Sequence, residues 1–113
     1  MSNPPELERK LAALRAQYLA ESGDRLAELW RLFARVQNGD VPALAELGGA
    51  LHRLAGTGGS YGLMSVTEHA RAAEQTVRAL ADAARAPGPA QCAALRGQLQ
   101  TLADAFASAS SPE

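Results

Sequence analysis

The chain has almost nothing with which to build a β-sheet. Twenty-five alanines and sixteen leucines stand against four valines, four threonines and no isoleucine. Sheet cores draw on β-branched and aromatic residues, whereas alanine and leucine head the scale of helix formers. The fold class that follows is all-α. A chain of 113 residues with 47% hydrophobic content can pack one core and is too short for a second. A single domain over residues 1–113 is expected, with the bundle from about 6 to 107 and a small polar tail, 108–113, that frays.

Turn chemistry divides the chain into periodic segments. In the first, Leu7, Leu11, Leu14 and Tyr18 form one stripe, and Leu26, Leu29, Phe33 and Val36, with Trp30 beside them, form another. The phase is lost at Glu21-Ser22-Gly23-Asp24. This marks either a kink or a break capped by Ser22 or Asp24, and near-continuity is favoured. Asn38-Gly39-Asp40 reads as a stop and restart, with Asp40 capping a helix whose first turn holds Pro42. That helix carries Leu44, Leu47, Leu51 and Leu54 on one face and ends within 57–62. A third stretch, about 63–85, buries Val66, Ala70, Ala73, Val77 and Leu80, and Ala86-Pro87-Gly88-Pro89 breaks it. The last helix, about 90–107, shows Cys92, Leu95, Leu99, Leu102 and Phe106. Connections this short turn successive helices back on one another. The predicted architecture is an antiparallel up-and-down four-helix bundle with an N-terminal helical extension.

Several function classes drop out. Eleven basic against twelve acidic residues give a net charge of −1, without the basic stripe that phosphate-led nucleic-acid binding needs. The lone Cys92 can form no internal disulfide and belongs to no cysteine zinc site. The longest uncharged stretch, Leu54–Thr67, is too short and too glycine-broken to span a bilayer, and residues 1–10 lack a signal-peptide pattern. A cytoplasmic protein is expected, binding neither membrane nor nucleic acid, and monomeric.

The segment Gly48-Gly49-Ala50-Leu51-His52-Arg53-Leu54-Ala55-Gly56 is unlike an ordinary bundle helix. Each interior glycine costs about 1 kcal/mol relative to alanine, so three of them weaken this helix by roughly 3 kcal/mol. On a helical wheel His52 points about 130° from the centre of the leucine stripe. Around it fall Ala45, Gly48, Gly49, Ala55, Gly56 and Gly59. An imidazole thus stands on a sector with no other side chain larger than methyl. A solitary surface histidine is most often only solvated, and helical glycines also serve close helix packing. Here the leucine stripe already supplies a packing face, so the bare sector is expected to face a partner macromolecule.

These residues carry a family resemblance. His52-Arg53-Leu54-Ala55-Gly56, with Gly62 beyond, resembles the motif of the histidine-containing phosphotransfer (HPt) domain. That motif reads His, any residue, Leu, usually Lys, then Gly, with a further Gly ten after the histidine. Tyr61-Gly62-Leu63 is similar to the family's aromatic-Gly-apolar turn. Val66–Glu74 looks like its next helix, and Tyr18-Leu19 and Arg25-Leu26 match its first. The likeness spans roughly residues 12–107.

What the resemblance implies is a phosphorelay intermediate of a two-component system. His52 would carry a phosphoryl group between receiver-domain aspartates, with Gly48, Gly49, Arg53, Ala55, Gly56 and Gly59 as the binding face. The partners implied are response-regulator receiver domains and a hybrid histidine kinase. No cofactor is expected on this chain, Mg²⁺ belonging to the receiver. Without a glycine-rich nucleotide motif, no ATP-dependent kinase activity is expected either. Ala55 stands where the family usually has lysine, so a cation that would steady the phosphoryl group is missing. Arg53 is the nearest cation in sequence but projects about 100° away. The alternative reading is a pseudo-HPt, a helical adaptor that binds a receiver without phosphotransfer. Elsewhere, His69 reads as a partly covered surface residue, Cys92 as a buried inert thiol, and Trp30 and Phe33 as packing residues. Glu68 and Glu74 are assigned no more than charge balance along their helix.

Overall fold

A computed structural model describes residues 4–110. Five helices follow in order: α1 (Pro4–Ala20), α2 (Ser22–Gln37), α3 (Pro42–Ser60), α4 (Met64–Asp82) and α5 (Pro89–Ser110). Among the described residues there is no strand. Helices α2 to α5 pack as a ring, each on the next and α5 back on α2, while α1 lies along α2 and α5 and reaches the end of α3 through Tyr18. The all-α bundle with a helical extension is the architecture observed. The outermost part of the expected frayed tail, 111–113, lies outside the described residues, and α5 runs to Ser110.

The helix ends follow from a few residues. α1 and α2 are parted by Glu21 alone, whose backbone stays right-handed (φ −87°, ψ −4°). Its N–H donates to the Gln17 carbonyl at 3.1 Å, and the Asp24 N–H donates to its carbonyl at 3.2 Å, so the path is nearly continuous. Neither Ser22 nor Asp24 is a cap here: the Ser22 hydroxyl turns back to the Leu19 carbonyl at 2.6 Å. α2 stops because Gly39 enters the left-handed region at φ +88°. Its N–H donates to Val36 O and that of Asp40 to Arg35 O, both at 3.0 Å, which satisfies two terminal carbonyls. Asp40 does not cap α3. Its carboxylate accepts instead from Arg35 Nε at 2.8 Å, and Arg35 also reaches Glu46 at 2.8 Å, a charge-assisted tie from α2 to α3. α3 ends like α2, with Gly62 at φ +71°, Gly62 N–H to Gly59 O at 3.0 Å and Leu63 N–H to Gly58 O at 2.8 Å.

The core is made by the stripes that the periodicity marks. Leu29, Phe33 and Val36 from α2, Leu44, Leu47, Leu51 and Leu54 from α3, Val66, Ala70, Ala73 and Val77 from α4, and Leu95, Leu99, Leu102 and Phe106 from α5 are all buried. Cys92 is a buried free thiol, and Trp30 packs half-buried against the same cluster. Leu26 and Leu80 are half-buried at the rim of this core, and the first stripe departs further. Leu7, Leu11 and Leu14 are 52%, 54% and 49% exposed, and only Tyr18 enters the core. The molecule measures 56 × 26 × 18 Å, and α1, seated against α2 and α5 and joined to the end of α3 through Tyr18, leaves that leucine face uncovered. Full burial of a leucine contributes about 1.5–3 kcal/mol, and these three realise only part of it.

Candidate functional site

The α3–α4 pair builds the site. The two helices run antiparallel in a register set by small residues. A Cβ on Gly58 would sit 2.8 Å from Thr67 Oγ1 and 3.2 Å from Val66 Cγ1, and one on Gly48 would meet Val77 Cγ1 at 3.5 Å. The buried Thr67 hydroxyl donates to the Ala55 carbonyl at 2.9 Å and locks that register. At the end of α3, Tyr18 and Thr57 hydroxyls are hydrogen-bonded at 2.7 Å, and the Tyr18 ring stacks on Tyr61 at 4.8 Å. The histidine helix is therefore held from both α1 and α4.

In that register His52 falls opposite Ala73–Glu74. Its side chain is 72% exposed, while Glu74 is only 13% exposed. His52 Nδ1 lies 3.1 and 3.3 Å from the two Glu74 oxygens. A carboxylate can only accept, so the neutral ring that suits this contact carries its proton on Nδ1 and keeps its lone pair on Nε2. No described residue hydrogen-bonds Nε2. Arg78 Nε donates to the same Glu74 oxygen at 2.7 Å, so the carboxylate is oriented from its own helix as well. The outcome is an outward imidazole with a fixed ring orientation and one free nucleophilic nitrogen.

The bare sector around His52 is split. Gly56 and Gly59 are exposed, as is Ala45, and a Cβ on Gly56 would meet nothing within 4 Å. Gly49 is half-buried, with Arg53 Nη1 3.5 Å from where its Cβ would lie. Gly48 and Ala55 are buried, Ala55 to 4% exposure, because α4 covers them. Gly48 does not form part of an open face, and Ala55 shows only as floor of the cleft beside His52, which corrects the reading of the whole sector as partner surface. The leucine stripe is not the only packing face of α3. Its second one, on α4, uses Gly48, Ala55 and Gly58.

Arg53 is exposed but faces the other way, into a cleft toward α2 lined by Asp24, Arg25 and Glu28. The Arg31 hydrogen bond holds the Glu28 carboxyl below its ordinary range, with the charges of Arg31, Arg35 and Arg53 adding to the effect. Glu28 thus stays ionised and offers Arg53 an opposite charge on the α2 side. On the α4 side, His52, Ala55, Gly56, Arg71, Glu74 and Arg78 line a shallow cleft. His69 is half-buried and lies elsewhere, near Asp104 of α5.

Glu74 is the functional candidate that sequence reasoning did not assign. Its signal was available in pairing: once Gly58 meets Thr67 and Gly48 meets Val77, residue 74 is the first polar group opposite His52. Among the described residues no group of three or more His, Cys, Asp or Glu side chains could hold a metal ion. No helix of the described residues is long and apolar enough to cross a membrane.

The fold and the site together define a helical bundle that presents an oriented, exposed histidine from a glycine-bearing helix. The family model of the Hpt domain matches residues 13–106, most of the 113-residue chain, and the chain belongs to that family. Histidine phosphotransfer in a phosphorelay is what such a domain serves. No curated protein and no solved structure matches the chain significantly.

Proposed function

We propose that the chain is a phosphorelay intermediate that accepts a phosphoryl group on His52 Nε2 from the aspartyl phosphate of one receiver domain and returns it to the aspartate of another. The observation that carries this reading is the ring itself: exposed, held at Nδ1 by a mostly buried carboxylate, and unengaged at Nε2. The Nε2 lone pair attacks phosphorus as the phosphorus–oxygen bond to the aspartyl carboxylate breaks, and the bonding pair leaves with that carboxylate. The imidazole then bears positive charge, and Glu74, accepting from Nδ1–H, stabilises it. The reverse step restores the neutral ring. The receiver supplies Mg²⁺ and most of the stabilisation of the transferring group. This chain supplies position, through an oriented ring beside the open surface at Gly56.

The test is transfer from a phosphorylated receiver to wild type and His52→Gln. Wild type should take acid-labile, alkali-stable label and the variant none. At 72% exposure the ring contributes little to the fold, so helicity and melting temperature should stay within the small range of surface substitutions. Label on the variant would move the acceptor elsewhere. No label on wild type, with receiver binding intact, would favour the adaptor reading that Ala55 raises.

A further inference from the structure

An exposed phosphohistidine dianion beside Glu74 needs a cation, and neither position adjacent to His52 in the motif provides one. Ala55 has no charge and is buried. Arg53 turns into the α2 cleft with Asp24 and Glu28. The cations that do line the histidine's own cleft come from α4: Arg71 and Arg78. They differ in what they already do. Arg78 Nε is committed to Glu74 at 2.7 Å. Arg71, one turn before Glu74, is exposed and has no hydrogen bond or ion pair with any described residue. Arg71 is therefore the uncommitted cation of the cleft that His52 lines.

We propose that Arg71 is the phosphoryl-binding cation of this protein, a guanidinium delivered across the cleft from α4 in place of the lysine that α3 lacks. The proposal rests on His52 being the acceptor. Its geometry follows from the division of labour at Glu74. The carboxylate and Arg78 hold Nδ1, so a phosphoryl group on Nε2 projects away from them over the methyl-sized floor of Ala55 and Gly56. A guanidinium one turn up α4 has the reach of its long stem and the planar fork that pairs two N–H groups with two phosphoryl oxygens. The small floor then has a second use: it leaves room for that fork, which a lysine rising from position 55 would occupy. Because the cation comes from a different helix, the phosphoryl group bridges α3 and α4 rather than riding on α3 alone.

The experiment needs no partner. Phosphoramidate, a small phosphoryl donor, is incubated with the full chain as wild type, Arg71→Gln, Arg71→Lys and Arg78→Gln, with His52→Gln marking which signal belongs to residue 52. Phosphorus NMR then follows the second ionisation of the phosphohistidine as pH is varied, and the label's decay is timed. A neighbouring guanidinium favours the dianion. In Arg71→Gln the phosphoryl group should therefore ionise at higher pH than in wild type and accept roughly three- to tenfold more slowly. Arg71→Lys should recover part of both, since it keeps the charge and loses the fork. The wild-type ionisation should move upward with salt, and that of Arg71→Gln should move less. Melting temperatures should not differ, because Arg71 is exposed. Identical ionisation and acceptance in wild type and Arg71→Gln overturns the proposal. So does a shift confined to Arg78→Gln, which would assign the contact to Arg78. Failure of a receiver to phosphorylate wild type would count against the relay alone, because the phosphorus titration reads the contact without a receiver.

Discussion

The two edges of the glycine-rich sector of α3 read alike as sequence and differ in what keeps them bare. On the edge toward α4, Gly58 and Ala55 are small because another helix is there. A methyl on Gly58 would press into Thr67, and Ala55 is 4% exposed. On the edge toward solvent, Gly56 is small although nothing lies within 4 Å of its absent side chain. The first kind of smallness is explained inside the molecule. The second is not, and it lies one turn from His52. A run of small residues therefore marks a partner surface only after the intramolecular packing has been subtracted.

The largest expected effect breaks the comparison on the open edge. Gly56→Leu should fold, with improved helix propensity and space for the side chain, yet transfer from a receiver should fall by about a hundredfold, because displacing reacting groups by an ångström costs that much. Rapid-quench transfer assays against melting curves give the answer. Wild-type transfer by a folded Gly56→Leu would mean that the open edge is not an approach surface.

The closed edge should respond in the opposite sense. Gly58→Val places a branched side chain where even its Cβ would be 2.8 Å from Thr67 Oγ1, a hydroxyl already bonded to the Ala55 carbonyl. Overpacking of this kind costs about 1–3 kcal/mol, and urea unfolding should show it. Any loss of transfer should track the unfolded fraction. Ala55→Lys belongs on the same edge and is a milder case. Residue 55 lies outside the leucine stripe but is covered by α4. A lysine there must run its stem out along α4 to keep its charge in water, at a cost of roughly 1 kcal/mol or more. Unchanged stability would mean that α4 yields at this point.

Most of the bundle was legible because its signals are local. Leucine spacing marked the stripes of α2 to α5, and glycine in left-handed positions ended α2 and α3 at Gly39 and Gly62. His52 stood out by the contrast with its neighbours. What sequence reasoning missed depends on which helices meet. Leu7, Leu11 and Leu14 have the spacing of a buried stripe, but no helix lies over them. Asp40 has the chemistry of a cap, but Arg35 and Glu46 converge on one another from two helices and draw its carboxylate into that ion-pair network. Glu74 looks like helix surface until the α3–α4 register places it under the imidazole. The second packing face of α3 is invisible for the same reason, since alanine and glycine carry no hydrophobic stripe.

The smallest effect is the sharpest test of why Gly56 is glycine. Gly56→Ala adds one methyl group to a helix interior, where alanine is favoured over glycine by about 1 kcal/mol, and that methyl meets no neighbour within 4 Å. Packing gives no offsetting penalty, so the variant should be more stable than wild type by roughly 0.5–1 kcal/mol, a rise of a few degrees in melting temperature. The same substitution at Gly58 meets Thr67 at 2.8 Å and should be destabilising, so the two alanines separate the edges by sign. Transfer sharpens the point. A methyl is much smaller than the leucine above, and its effect on the rate should be a fraction of a decade. A stabilised Gly56→Ala that transfers more slowly would show that folding stability is given up at this position for closer approach of the partner. A stabilised variant with wild-type transfer would leave the glycine without that reason.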